Sequence, residues 1–374
     1  MIDCQRFHGL LLGRGLDFFT GVPDSLLKDL CACIRERTPA DRHVVAANEG
    51  AAVAMAIGHY LGRGKPAVVY LQNSGLGNAV NPLVSLADEA VYGIPMLLVV
   101  GWRGEPGRRD EPQHAKQGPI TLGMLDLLGI PHRVLGPDDD PEAALDRLCR
   151  LLAERSQPAA LVVREGTFAP FRSAAPAAPG PLLAREAAIA LIADRLGPGD
   201  LVVATTGKAS RELYEHRRRS GAGHGRDFLT VGGMGHASAI ALGIALARPS
   251  RPVVCLDGDG AALMHLGTLA VNASLGATNF KHIILNNGCH DSVGGLPTVA
   301  GQLSLAEVAR ACGYRSVRRV DDPARLVEAV LALVQEPGPA LLEVRVAPGA
   351  RSDLGRPREA PAVNMREFMA GLEP

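Results

Sequence analysis

Residues 258–288 read GDGAALMHLGTLAVNASLGATNFKHIILNNG, directly behind the apolar run PVVCLDG (252–258). An acid between two glycines closes one apolar segment, and a helix's worth of chain leads to a second, FKHIIL, closed by Asn286 and Asn287. Short apolar strands joined by a helical crossover point to a parallel sheet covered on both faces. Ligands bind such sheets beyond the carboxyl ends of the strands, where Asp259 and the Asn pair fall. One carboxylate and one amide oxygen suit a hard cation such as Mg²⁺, which is usually held by few carboxylates together with substrate phosphates. Gly258 and Gly260 would let a phosphate approach backbone N–H groups at a helix start expected near Ala261. A helix cap at Asp259 and a turn at the asparagines would use the same residue types. A GDG followed at this distance by an Asn pair is, however, rare by composition alone.

Outward from this stretch the same pattern recurs. DLVVATTG (200–207) and PALLEVRV (339–346) have the strand character on the C-terminal side. PAVVYLQ (66–72), PMLLVVG (95–101) and AALVVRE (159–165) have it on the N-terminal side, alternating with helical stretches such as EGAAVAMAIGHYLGRG (49–64). Between the two sides, SAAPAAPGP (173–181) has no hydrophobic period and reads as a linker. The fold class expected is α/β, with two doubly wound parallel-sheet domains over 1–172 and 182–374. The strand ends carry QNSGLGN, GWRGEPG, TTGK, DGDG and NNG, small and polar residues where a site belongs.

A length of 374 residues agrees with two cores. Lys plus Arg and Asp plus Glu both total 39, a balance that implies no nucleic-acid or acidic-membrane partner. Seven cysteines without a C-x-x-C pair suggest a reducing cytoplasm. No apolar run approaches the roughly 18 residues of a membrane span, and the start has no secretory pattern, so a cytoplasmic protein is expected.

The GDG-to-NN segment resembles the thiamine diphosphate binding motif. The resemblance implies the thiamine diphosphate-binding fold, with a pyrimidine-binding domain first and a diphosphate-binding domain second. It implies Asp259 and Asn287 as side-chain ligands of Mg²⁺ and the backbone oxygen of Cys289 as a third. VVAANEGAAVAMAIGHYLGRG (44–64) puts Glu49 at the position of the carboxylate that meets the cofactor's pyrimidine N1′. A first-turn acid favoured by the helix dipole would look alike. DFLTVGGMGHASAIALGIALA (227–247) places Met234, flanked by Gly233 and Gly235, where the family has the wedge beneath the bent cofactor. VVATTGKASREL (202–213) resembles the loop that receives the diphosphate, with Thr206, Gly207 and Lys208 as contacts. In this family the cofactor bridges two subunits, which implies a homo-oligomer. The short linker leaves no room for the middle domain that most decarboxylases of the family carry.

The loop GWRGEPGRRDEPQHAKQG (101–118) places Arg103, Arg108, Arg109 and His114 behind a strand end. Arginine forks suit oxyanions, so a second anionic group on the substrate is expected, although an isolated charged loop is commonly just solvated. With GVPDSLLK, TTGKASREL, HDSVGGLPT and RSDLGRP, the chain resembles the phosphonopyruvate decarboxylase family over almost its full length, with the sulfopyruvate decarboxylases as nearest competitor. The resemblance implies decarboxylation of 3-phosphonopyruvate to phosphonoacetaldehyde in phosphonate and antibiotic biosynthesis. It suggests Asp24 and His114 for proton delivery after CO₂ leaves. Ser292, Gly294 and Gly295 are candidates for holding the phosphonate, with Arg351 and Arg356 closing over it. HDSVGGLPT departs from the family in having Asp291 and Leu296 in place of Glu and Gln. An acetolactate-type carboligase and a non-catalytic relative are the alternatives. The missing middle domain and cationic loop count against the first, and Glu49 against the second.

Overall fold

Every apolar run singled out above forms a strand, and each half of the chain builds its own sheet. The structure, a computed structural model, describes residues 1–172 and 182–372. The chain divides into two compact units, Met1–Pro176 and Ala177–Pro374. The expected linker, 173–181, lies outside the described residues.

In the first unit, strands β1 (Phe19–Gly21), β2 (His43–Val45), β3 (Ala67–Gln72), β4 (Met96–Gly101), β5 (His132–Leu135) and β6 (Ala159–Val163) lie in the order β2-β1-β3-β4-β6-β5. All neighbours are parallel. Strands β4 and β6 are buried along their whole length, as expected of strands covered on both faces.

The second unit repeats the plan with β7 (Leu201–Ala204), β8 (Asp227–Leu229), β9 (Val253–Gly258), β10 (Phe280–Asn286), β13 (Ser316–Val320) and β14 (Ala340–Arg345). A small antiparallel ribbon, β11 (Cys289–His290) with β12 (Leu296–Pro297), is inserted after β10. The sheet order β13-β14-β10-β9-β7-β8, read from β8, is the order of the first unit. One face is covered by a cluster including Ile189, Leu213, Val330 and Leu333, the other by Leu242, Leu269, Leu305 and Phe368.

In each unit the chain leaves the first strand towards one edge and returns to lay the third strand on its other side. The carboxyl ends of β1 and β3, and of β7 and β9, therefore flank a topological switch point.

Helix starts aim functional residues at these ends. Asn48 caps helix Glu49–Arg63, its side chain accepting the Ala51 N–H at 2.8 Å, so Glu49 is the first helical residue. Asp259 likewise opens a helix, Asp259–Met264, two residues earlier than expected. Extended Gly258 serves as the cap, and the acid at the first turn complements the helix dipole. The crossover to β10 breaks into two short helices, the second being Thr268–Ser274.

Near the end of the chain, Asn364 donates to the Asp227 carbonyl at 2.8 Å and accepts the Leu229 N–H at 3.0 Å. This covers the open edge of β8. Among the described residues no helix is long and apolar enough to cross a membrane. All seven cysteines are free thiols.

Candidate cofactor and metal site

In the second unit the ends of three neighbouring strands, β7, β9 and β10, carry the candidate residues. Leu285 pairs with Gly258 across the β9–β10 ladder, so Asp259 and Asn287 follow side by side. The Asn287 backbone N–H donates to the Asp259 carboxylate, and Thr298 Oγ1 donates to its Oδ2 at 2.5 Å. Burial pushes the Asp259 carboxyl up to about 6, because these donors only partly offset lost hydration.

Asn287 donates through Nδ2 to Asp291 at 2.7 Å and accepts the Cys289 N–H on Oδ1 at 3.1 Å. Its neighbour Asn286 is fully buried and points elsewhere, donating to Glu343 Oε1 at 2.7 Å and to the Ala300 carbonyl at 3.1 Å. One asparagine of the pair locks β10 to β14, and the other faces Asp259.

Around this pair the backbone makes the close approaches a diphosphate needs. Gly207 sits at φ 100°, a conformation side chains rarely adopt, and Thr206, Gly207 and Lys208 form the turn into helix Lys208–Ser220. A Cβ on Gly207 would lie 3.1 Å from Ser292 Oγ, which brings the TTGK turn and the HDSVGG loop together. Gly294 and Gly295 also have positive φ. Met234 lies between Gly233 and Gly235, both left-handed, and a Cβ on Gly260 would lie 3.4 Å from its terminal methyl. It is half-buried, so it is not a core filler.

The residues fit a metal–diphosphate group. The buried Asp259 carboxylate accepts from Thr298 and from backbone N–H groups and makes no ion pair among the described residues. The Thr205 hydroxyl at the end of β7 is buried with no hydrogen-bond partner among the described residues. Asp259, Asn287 and a backbone carbonyl are hard oxygen donors of the kind Mg²⁺ takes.

The first unit gathers acids and one histidine. Glu49 is 5% exposed and accepts from Asn78 Nδ2 at 2.8 Å. A Cβ on Gly75 would lie 2.3 Å from Glu49 Oε1, so only glycine permits this carboxylate position. Asp24, after β1, is fully buried. Its Oδ2 accepts the Leu26 and Leu27 N–H groups at 3.1 and 3.3 Å, while Oδ1 has no partner among the described residues. Burial pushes its carboxyl up to about 6, against the pull of Arg103.

His114 is the first residue of helix His114–Leu127 and is buried, where the sequence suggested a loop. Its Nδ1 is 3.0 Å from Asp110 Oδ1, and its Nε2 is 3.5 Å from Gln72 Nε2. Burial alone would raise the Asp110 carboxyl. Hydrogen bonds from Arg103, His114, and the Glu111 and Gly104 N–H groups outweigh it and hold Asp110 well below the usual carboxylate range. An ionised carboxylate only accepts, so His114 turns an Nδ1–H to Asp110, and its Nε2 faces Gln72.

The arginines are less available than the sequence suggested. Arg103 makes a fork on Asp110, with Nε at 2.9 Å, and donates to Ser25 at 2.6 Å. Arg108 pairs with Glu105, and Arg351 with Glu186, Glu215 and Asp353. Arg109 and Arg356 are exposed. Residues that sequence reasoning missed include Asn73, Gly75, Asn78, Asp110, Arg185 and Glu212. For Asp110 a signal existed: the loop that carries the arginines also carries its own acids, Glu105, Asp110 and Glu111.

Comparison with known proteins agrees. Residues 6–124 match the thiamine pyrophosphate enzyme N-terminal TPP binding domain, and residues 205–344 the C-terminal TPP binding domain. A phosphonopyruvate decarboxylase of Streptomyces viridochromogenes is 39% identical, covering 99% of this chain and 95% of that protein. One from Streptomyces hygroscopicus is 39% identical over 98% of this chain and 93% of its own length. A sulfopyruvate decarboxylase of Methanosarcina acetivorans is 27% identical over 87% of this chain and 86% of its own.

Proposed function

The chain belongs to the phosphonopyruvate decarboxylases among the thiamine pyrophosphate enzymes, and on that premise we propose that it converts 3-phosphonopyruvate to phosphonoacetaldehyde and CO₂ with Mg²⁺ as its metal. The observation that carries the cofactor reading is Asp259, a buried carboxylate that accepts the Asn287 N–H and makes no ion pair among the described residues. Residues 1–172 are taken as the pyrimidine-binding domain and 182–374 as the diphosphate-binding domain.

Bound thiamine diphosphate supplies a carbon nucleophile for the keto carbonyl and a sink for the electron pair that CO₂ leaves. Glu49, fixed by Asn78 and Gly75, would hold or release a proton at pyrimidine N1′. Asp259, the Asn287 amide oxygen and the Cys289 carbonyl would hold Mg²⁺. Thr206, Gly207, Lys208, Gly258 and Gly260 would take the diphosphate, and Gly233 and Met234 would lie against the rest of the cofactor. Asp24, whose carboxyl burial raises to about 6, would be the acid placed to hold and give up a proton for the substrate carbon. His114 Nε2, set by Asp110, orients the reacting carbonyl end. Ser292 and the N–H groups of Gly294 and Gly295 would take the phosphonate, with cations from the arginines Arg103, Arg108, Arg109, Arg351 and Arg356, of which Arg103, Arg108 and Arg351 are ion-paired.

Self-association is part of this reading. Val84, Leu86, Val91 and Tyr92 are exposed on the segment that follows Asn78, an apolar surface suited to a second subunit. A cytoplasmic setting suits seven free thiols. A place in phosphonate and antibiotic biosynthesis follows from the substrate.

The test is a steady-state comparison of phosphonopyruvate, sulfopyruvate and pyruvate with Mg²⁺ and thiamine diphosphate present. Phosphonopyruvate is expected to have the highest kcat/KM. Equality with pyruvate would defeat the assignment of an anion-binding pocket, and preference for sulfopyruvate would move the chain to that activity.

A further inference from the structure

We propose that Asp291 is a positioning residue that orients the side-chain amide of Asn287, and that Arg185 holds Asp291 in place for it. This rests on the reading of Asn287 as a metal ligand. An asparagine amide can turn either its oxygen or its nitrogen towards a neighbour, and only the oxygen binds a cation. Asn287 Nδ2 donates to Asp291 Oδ2 at 2.7 Å. Arg185 Nη1 donates to the same Oδ2, so that oxygen meets Asn287 as an acceptor; this contact, together with the Cys289 N–H on Asn287 Oδ1 at 3.1 Å, turns the nitrogen towards Asp291 and the oxygen away from it.

Asp291 is itself immobilised from several directions. Arg185 Nη1 donates to its Oδ2 at 2.7 Å, the Gly349 N–H reaches it at 3.0 Å, and the Cys289 thiol lies 3.2 Å from Oδ1. Arg185 is buried and meets Glu212 in a fork, Nε to Oε2 at 2.8 Å and Nη2 to Oε1 at 2.9 Å. Glu212 and Asp291 thus hold the Arg185 guanidinium from two sides, which fixes the group that faces Asp291. Partners behind metal ligands commonly affect metal affinity by about 10- to 100-fold.

The experiment is calorimetric titration of Mg²⁺ into the full-length chain saturated with thiamine diphosphate, for the unaltered protein, Asp291→Ala, Asp291→Asn and Asp259→Asn. Asp291→Ala is expected to weaken Mg²⁺ binding about 10- to 100-fold. Asp291→Asn can turn its oxygen to the shared position that accepts from Arg185 and from the Asn287 amide, and should keep the affinity within about 3-fold of the unaltered protein, a result that a general folding defect would not produce. Should Asp291→Ala fail to fold by circular dichroism, Asp291→Ser, too short to reach the amide, replaces it with the same expectation. Unchanged affinity in the Ala or Ser variant, with loss in Asp259→Asn, would overturn the role of Asp291 alone. Equal weakening by Asp291→Ala and Asp291→Asn would overturn the orientation argument. Wild-type affinity in Asp259→Asn would overturn the metal-site reading and this proposal together.

Discussion

The two halves have one strand order and fill its switch point in opposite ways. The first places ionisable side chains there and withdraws them from water: Asp24 is fully buried, Glu49 5% exposed and His114 5% exposed. The second places left-handed glycines and short polar residues there, with Asp259 beside backbone N–H groups and Asp291 tied to Asn287 and Arg185. Proton-handling groups need fixed neighbours that set their protonation state, and anion-holding groups need backbone without side chains in the way. On the proposed reading, the same scaffold separates proton handling from cofactor anchoring.

Substitutions in the two halves should fail differently, which gives ways to break this contrast. The largest effect is expected for Glu49→Gln. Turnover should fall by roughly 10³-fold while thiamine diphosphate affinity, read by intrinsic fluorescence, stays near its original value. Unchanged turnover would remove the first half's central group.

Next comes the pH dependence of stability in the first half. The folded chain holds the Asp24 proton up to about 6, against an ordinary value of 3.8, so the folded state binds more protons than the unfolded state across that interval. This contribution to stability is full below about pH 4 and is lost as pH rises through 6, amounting to roughly 3 kcal/mol. Asp24→Asn has no such loss, so denaturant midpoints of the two proteins should diverge between pH 4 and 7. Parallel curves would show that the burial of Asp24 does not matter.

Two glycine substitutions sharpen the contrast further. Gly75→Ala puts a Cβ 2.3 Å from Glu49 Oε1 and must move that carboxylate. It should cost turnover about 100-fold with little change in cofactor affinity. Gly207→Ala meets only Ser292 Oγ at 3.1 Å but strains a backbone at φ 100°, so it should raise the dissociation constant for the cofactor about 10-fold and leave saturated turnover within about 2-fold. If both variants act on the same parameter, the division of labour is wrong.

Much of this was legible in the sequence, and the reason is physical. The metal half is written in short range: apolar strands end on GDG and NN, and the pairing of β9 with β10 needs only one crossover to bring Asp259 to Asn287. Glu49 was legible for the same reason, as the acid that opens an alanine-rich helix. The partners were not. Asn78 reaches Glu49 across a helix and strand, and Arg185 reaches Asp291 across 106 residues, contacts that depend on sheet order and not on spacing. The arginine loop misled because sequence shows its cations plainly and its internal pairing poorly. Asp110, seven residues past Arg103, takes that guanidinium before any ligand can.

The repeated strand order has a consequence for the continuity of the polypeptide. Among the described residues, all the ladder hydrogen bonds of each sheet close within one half, and neither sheet borrows a strand from the other. Peptide-bond continuity between the halves is thus a matter of stoichiometry and delivery. Severed at the join and produced as two separate chains, each half would keep every strand of its own sheet, and a gene encoding them could divide or fuse without redesign of either sheet.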